Sequence, residues 1–166
     1  MSTDTELAPA TIDRVIAVMR GFDVELTKVA GKEIATANLN DTLCTFAVLG
    51  SAMVVRSEVA TDTDYDSADA GLFLAANQMN STSIGARAVI AEHEGKLIVR
   101  TERDIVIAAG ISDEQLKVSL KAAVDGVIRA QDAMVAAADE MRKLNEHRDQ
   151  AERTTGEHSA SDEDGA

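Results

Sequence analysis

A chain of 166 residues is long enough to bury one core and too short for two full domains. Its net charge of −13 repels phosphate backbones and anionic lipid headgroups, which excludes nucleic acid and membrane surfaces as expected partners. Apolar residues make up 45% of the chain but aromatics only 2%, so the core has to be assembled from Val, Ile, Leu, Ala and Met.

Residues 1–7 read as a flexible polar start to a single domain spanning 8–143. After Pro9, Ile12, Val15, Ile16 and Met19 recur at helical spacing, and Gly21 stands where the helix should end. Phe22, Val24 and Leu26 then alternate with Asp23, Glu25 and Thr27, which predicts a strand with one wet face, left through Gly31 and Lys32. Two β-rich segments, Thr42 to Leu49 and Ala52 to Ala60, flank Gly50 and Ser51, a pair suited to a type II′ hairpin turn. Cys44, Phe46 and Val48 share one face of the first segment; Met53, Val55 and Val59 share one face of the second.

The stretch from Thr61 to Asp69 reads as a loop rich in aspartate. Gly71 to Asn80 reads as a helix, with Phe73, Ala76 and Met79, or Leu72 and Ala76, facing inward. Ile84, Ala86, Ala88 and Ile90 lie on one face of a further strand, and Leu97, Val99, Ile105 and Ile107 on one face of the next. Glu92 to Gly95 makes the turn between them. Gly110 closes that strand, and Ser112 followed three residues later by Gln115 forms a capping box.

From there Leu116, Leu120, Ala123, Val124, Val127, Gln131, Met134, Ala138 and Met141 fall on one helical stripe. The pattern runs to about residue 143, a helix of about 45 Å at 1.5 Å per residue. That exceeds what covering one face of a sheet requires. Residues 144–166, which include Asp162, Glu163 and Asp164, have the low hydrophobicity of an acidic disordered tail. The expected order is therefore helix, three strands, helix, two strands and a long helix, an α+β fold whose five-stranded antiparallel sheet carries its helices packed on it.

That element order, with AANQMN at the end of the second helix, EGK at the following turn and GIS before the final helix, resembles the YbjN family over residues 8–140. The resemblance implies the fold of type III secretion chaperones, in which helices pack on a curved antiparallel sheet. It also implies a binding protein, often dimeric, of unsettled biochemical activity and labelled a bacterial regulator of sensory transduction. Relatives often carry a tryptophan within the asparagine-containing motif; this chain has Met79 between Asn77 and Asn80.

Asp62, Asp64, Asp66 and Asp69 alternate like the carboxylates of a calcium loop. A calcium loop opening at Asp62 needs glycine at its sixth position and glutamate at its twelfth, and those positions hold Ser67 and Phe73. The favoured reading is a solvated loop whose acids help to start a helix; a small-ligand or calcium-responsive regulator using the Asp62 to Asp69 loop, with Asp62, Asp64 and Asp66 as metal ligands, is the alternative. Cys44 alternates in step with Phe46 and Val48, which makes it a core residue rather than a nucleophile.

His93, His147 and His158 are too dispersed for a metal site. Asn77 and Asn80 sit where asparagine caps a helix C-terminus, with ligand contact as the lesser reading. No HExxH, GxSxG, GxGxxG or P-loop spacing occurs, so neither a catalytic site nor a cofactor is expected.

The lone cysteine cannot form an intramolecular disulfide, the N-terminus lacks the basic and apolar regions of a signal peptide, and no long apolar run occurs, so a cytoplasmic location is expected. The sequence thus points to a homodimeric interaction or chaperone-like module that offers sheet and helix surfaces to a protein partner. Val127, Gln131, Met134, Ala138 and Met141 are the expected partner-binding residues, because the stripe outruns the sheet and a glutamine within it suits an interface rim.

Overall fold

The structure, a computed structural model, describes residues 6–67 and 70–160, with side chains up to residue 153. Helix α1 (Ile12–Arg20) is followed by strands β1 (Thr27–Lys28), β2 (Ile34–Leu39), β3 (Thr42–Leu49) and β4 (Ala52–Asp64). A single 3-10 turn (Tyr65–Ser67) precedes α2 (Gly71–Thr82), then come β5 (Arg87–His93), β6 (Lys96–Val106) and α3 (Asp113–Ala160). All neighbouring strands pair antiparallel in one six-stranded sheet of order β1-β2-β3-β4-β6-β5.

The α+β architecture and the antiparallel sheet match the expectation, with six strands in place of five. The additional strand is β2, whose inward residues are Ala35 and Ala37; alanine has little strand propensity and so conceals the alternation. The strand expected over Phe22 to Thr27 is confined to Thr27 and Lys28. Its first residues fold back onto the end of α1, where the N–H groups of Phe22 and Val24 both donate to Met19 O and Asp23 takes a positive φ of 60°. Leu26 is still buried, so the alternation reported packing and not a ladder.

Both hairpin turns form where turn residues stood. Leu49 pairs with Ala52 across Gly50, whose φ of 60° is open to glycine at little cost. His93 pairs with Lys96 across Glu94 and Gly95, both at positive φ. Strand β4 runs four residues past its expected end, converting the front of the expected aspartate loop into strand.

The helices lie on one face of the sheet. Inward-facing Cys44 and Phe46 of β3 and Met53 and Val55 of β4 pack with Ile12 and Val15 of α1 and the α3 stripe, while Val99 of β6 packs with Met134 of α3. Leu116, Leu120, Ala123 and Val127 of that stripe are fully buried. The capping box closes as read: Ser112 N–H donates to Gln115 Oε1 at 3.0 Å and Gln115 N–H to Ser112 Oγ at 3.2 Å. Arg14 ties α1 to this start, donating to Ala8 O, Pro9 O and Ile111 O and pairing with Asp113.

On α2 the buried residues are Ala75 and Ala76, while Leu72 and Met79 are half-buried. Phe73, expected inward, is exposed, because residues 72, 75, 76 and 79 already fill the inward stripe. Ile84 is likewise fully exposed, in the bend before β5, while Ala86 packs into the core and Ala88 lies in the ladder. Helix α3 is 48 residues long and continues to Ala160, through residues 144–160 that the sequence assigns to a disordered tail. Residues 142–153 are mostly strong helix formers with no proline, and the ion pairs Arg142–Asp139 and Lys143–Glu140 support the turns before them. The remainder of that segment, 161–166, and Asp69 lie outside the described residues.

Helix α3 approaches the segment before β5 through glycine. A Cβ on Gly126 would stand 3.1 Å from Gly85 O and 3.8 Å from an Arg103 guanidinium nitrogen. Gly126→Val should therefore destabilise the fold by about 1–3 kcal/mol, read as a lower urea midpoint with an unchanged slope.

Candidate functional site

Three regions carry the polar chemistry: a seam inside the core, the outer face of the sheet, and a cavity where α3 leaves the body.

The interior seam consists of Ser57, Thr101 and Gln131, all buried. Thr101 pairs with Ser57 of β4 in register and faces α3, where its Oγ1 donates to Val127 O at 3.0 Å. The Gln131 amide lies 3.2 Å from the same oxygen. Thr101 has one proton to give, shared between Val127 O and the Gln131 amide oxygen, and Ser57 Oγ and Gln131 Nε2 stay buried without a partner among the described residues. This corrects the expectation for Gln131: it sits in the sealed interior, 4% exposed, because a threonine on the inner face of β6 receives it. The seam also divides the core. On one side stand Phe46, Met53 and Leu116; on the other, a smaller cluster of Ala75, Ala76, Ala88, Val99 and Met134.

Cys44 lies in register between Ala37 and Ser57, wholly buried, and burial pushes its thiol up to about 11. A thiol held protonated at neutral pH is a poor nucleophile. The native chain should resist thiol reagents at pH 8 and react with one equivalent after unfolding in urea; fast labelling of the native chain would contradict this placement.

On the outer face, strand alternation sets charges in rows. Arg56, Glu102 and Arg87 stand in register across β4, β6 and β5. Arg56 and Arg87 each donate to Glu102, at 2.9 and 2.8 Å, and Arg87 also reaches Asp104 at 3.3 Å. The next row pairs Arg100 with Glu58 at 2.6 Å. Around these charges lie exposed Leu43, Leu49 and Val106. Burial pushes the Glu102 carboxyl up, but hydrogen bonds from Arg87 and Arg56 and their positive charge outweigh it, so the group is held below its ordinary 4.5.

A carboxyl depressed in the fold adds stability that is complete above the unfolded pKa and is lost as pH falls through the folded one. Glu102→Gln should therefore be less stable than the parent at neutral pH, and the gap should close below about pH 4 in urea titrations. A gap that persists in acid would rule out the ionic origin.

The cavity, of about 380 Å3, opens between the end of β4, the start of α2 and the last packed turns of α3. Thr61, Thr63, Leu72, Ala138 and Met141 form its walls, and Asp139, Arg142, Glu146 and Asp149 its α3 rim. Of the five stripe residues expected to bind a partner, Val127, Gln131 and Met134 are buried inside the chain's own fold, because α2, β5 and β6 reach further along α3 than an estimate from sheet width allows. Ala138 and Met141 remain half-buried at this cavity.

Asp62 and Asp64 sit on β4, with Asp64 paired to Lys96 at 2.7 Å, and Asp66 lies in the 3-10 turn, so they do not form the expected loop. Among the described residues no three metal-ligating side chains gather. His93 and His147 are exposed, and the side chain of His158 lies outside the described set. Asn80 has a role the sequence did not suggest. Its amide donates to Ala88 O and accepts from Ala88 N–H, both at 2.8 Å, fastening α2 to the free edge of β5 as a short mimic of a strand. Asn77 is exposed at the surface of α2, where its carbonyl accepts from Ser81 Oγ.

Thr101 and Glu102 were missed as well. Parity along β6 separates inward from outward positions, but only the strand order brings Arg56 and Arg87 to either side of Glu102.

An antiparallel sheet with helices on one face and an open charged face opposite makes an α+β fold that is type III secretion chaperone-like. Residues 11–136 match the model of the family YbjN, described as "Putative bacterial sensory transduction regulator", and the chain belongs to that family. Its fold is similar to the crystal structure of YbjN from E. coli, with a TM-score of 0.64 at 11% identity, covering 81% of this chain and 96% of that one. An uncharacterized protein from Methanothermobacter thermautotrophicus follows at a TM-score of 0.53 and 10% identity, covering 77% and 96%. A chain of the ExsC–ExsE complex matches at 0.50 and 17% identity, covering 70% and 87%. No curated protein sequence matches. No helix among the described residues is long and apolar enough to cross a membrane.

Proposed function

We propose that this chain is a non-catalytic protein-interaction module, chaperone-like in form, which works as a cytoplasmic homodimer and regulates by binding a protein partner. The observation that carries this reading is the surface left over by the fold. Among the described residues one whole face of the six-stranded sheet has no helix on it, and α3 runs on for about 28 Å beyond Met141, the last apolar residue of its stripe. Leu43, Leu49 and Val106 stay exposed on the sheet, an arrangement suited to recognition and with little use to a monomer.

Three further observations support it. The only cysteine is buried and protonated, which removes the one obvious nucleophile. The family is described as a regulator, and a similar fold has been crystallised in the ExsC–ExsE complex. The lone thiol and the net charge of −13 suit a reducing compartment and an aqueous protein partner.

Light scattering coupled to size exclusion tests the assembly: a mass of twice 17.6 kDa is expected at micromolar concentration, and a strict monomer at every concentration would remove the dimer. Affinity capture from the native host tests the rest, with a stoichiometric protein partner as the expected result. Charge reversal on the open face, Arg100→Glu, should weaken retention of that partner if the sheet is its platform.

A further inference from the structure

We infer that the cavity between β4, α2 and α3 is a docking site for a basic amphipathic peptide segment, which seats an aliphatic side chain against Leu72 and Met141 and sets its lysines or arginines on the acidic rim. The inference rests on reading the chain as an interaction module and names the chemistry of one partner.

Shape comes first. At about 380 Å3 the cavity falls in the range of about 300–1,000 Å3 typical of ligand clefts. Leu72 of α2 and Ala138 and Met141 of α3 are half-buried along it, and methionine adapts its shape to irregular apolar guests. The Thr61 hydroxyl is already engaged, donating to Leu97 O at 2.8 Å and accepting from Thr63 N–H at 3.2 Å. The walls therefore ask for an apolar side chain.

The rim asks for a cation. Arg142 is its one base and is paired with Asp139 at 3.0 Å. Glu146 and Asp149, each about one turn further along α3, are exposed and make no ion pair among the described residues. The strand that supplies Thr61 and Thr63 carries Asp62 and Asp64 on its opposite face, and Asp66 follows, with Lys96 held by Asp64. The field around the cavity is therefore negative on both flanks.

Two aromatics outside the lining stand close to it along the chain. Tyr65 and Phe73 are exposed at 56% and 45%, two of only four aromatic residues in the protein, and they bracket the start of α2. Exposed aromatics beside an apolar cleft are characteristic anchors of binding surfaces. The alternatives carry the wrong sign. A second copy would bring the same acidic rim, and the chain's own last residues carry Asp162, Glu163 and Asp164.

The test uses the full chain and fluorescently labelled synthetic peptides, read by anisotropy. A helical leucine–lysine peptide should bind, more weakly as salt is raised, while its leucine–glutamate counterpart and a lysine–glycine peptide should not. Two variants of α3 probe the site: Glu146→Lys combined with Asp149→Lys, both exposed, to reverse the rim, and Ala138→Arg in the half-buried wall to fill the cleft. Each should weaken the leucine–lysine peptide at least about tenfold with an unchanged circular dichroism melt.

Equal binding of the leucine–lysine peptide by the parent and both variants, or of the lysine–glycine peptide by the parent, overturns the site. The interaction-module reading has a different failure: a chain that captures no protein from its host. Wild-type chain that binds none of the peptides also overturns this site, whatever the capture shows.

Discussion

The whole molecule depends on α3 lying across the inner face of the sheet. Its stripe of Leu116, Leu120, Ala123 and Val127 buries the middle of β4 and β6, and Met134 carries the contact on to α2 and β5. The bond from Thr101 Oγ1 to Val127 O ties the helix to β6 within that packing. With all three helices on the inner face, no described element is left to cover the outer one.

A core with almost no aromatics has to gain its contacts by closeness. Phe46 is the one aromatic that is fully buried, and around it stand alanine, valine and methionine. Close approach follows from this economy of volume: Gly126 meets Gly85 backbone to backbone, and Ala75 and Ala76 let α2 settle onto α3. The polar seam through Ser57, Thr101 and Gln131 then separates a large core from a small alanine-rich one. The small cluster stands beside the proposed cleft, where few buried apolar contacts leave room for local opening.

Charge is managed differently on the two sides. Outside the sheet, arginines and acids alternate across neighbouring strands, so the charged face is largely neutralised within itself by Arg56, Glu102, Arg87 and Arg100. At the end of the body, Glu146 and Asp149 are not neutralised in that way. A protein with a net charge of −13 thus presents one nearly balanced surface and one acidic surface, and the two suit different kinds of contact.

Local rules made much of the fold legible. The capping box at Ser112 and Gln115, the turns at Gly50 and Gly95 and the buried alternation of Cys44 and Phe46 all follow from interactions within a few residues, which a sequence displays directly. Where local signals were weak or misleading, the reading failed. Alanine in β2 hid a strand, the alternation at Phe22 to Leu26 marked a turn, and aspartates at 62 and 64 disguised the end of β4.

The sequence by itself determined the α+β class, the inward stripe of α3 and the absence of any familiar catalytic spacing. Only the tertiary structure decided that Gln131 belongs to the interior, that Asn80 fastens the edge of β5, that Glu102 sits between two arginines, and that Ala138 and Met141 meet Leu72 at a cleft. The physical reason is distance along the chain: these contacts join residues on separate elements, and their existence depends on strand order and on where a helix comes to rest.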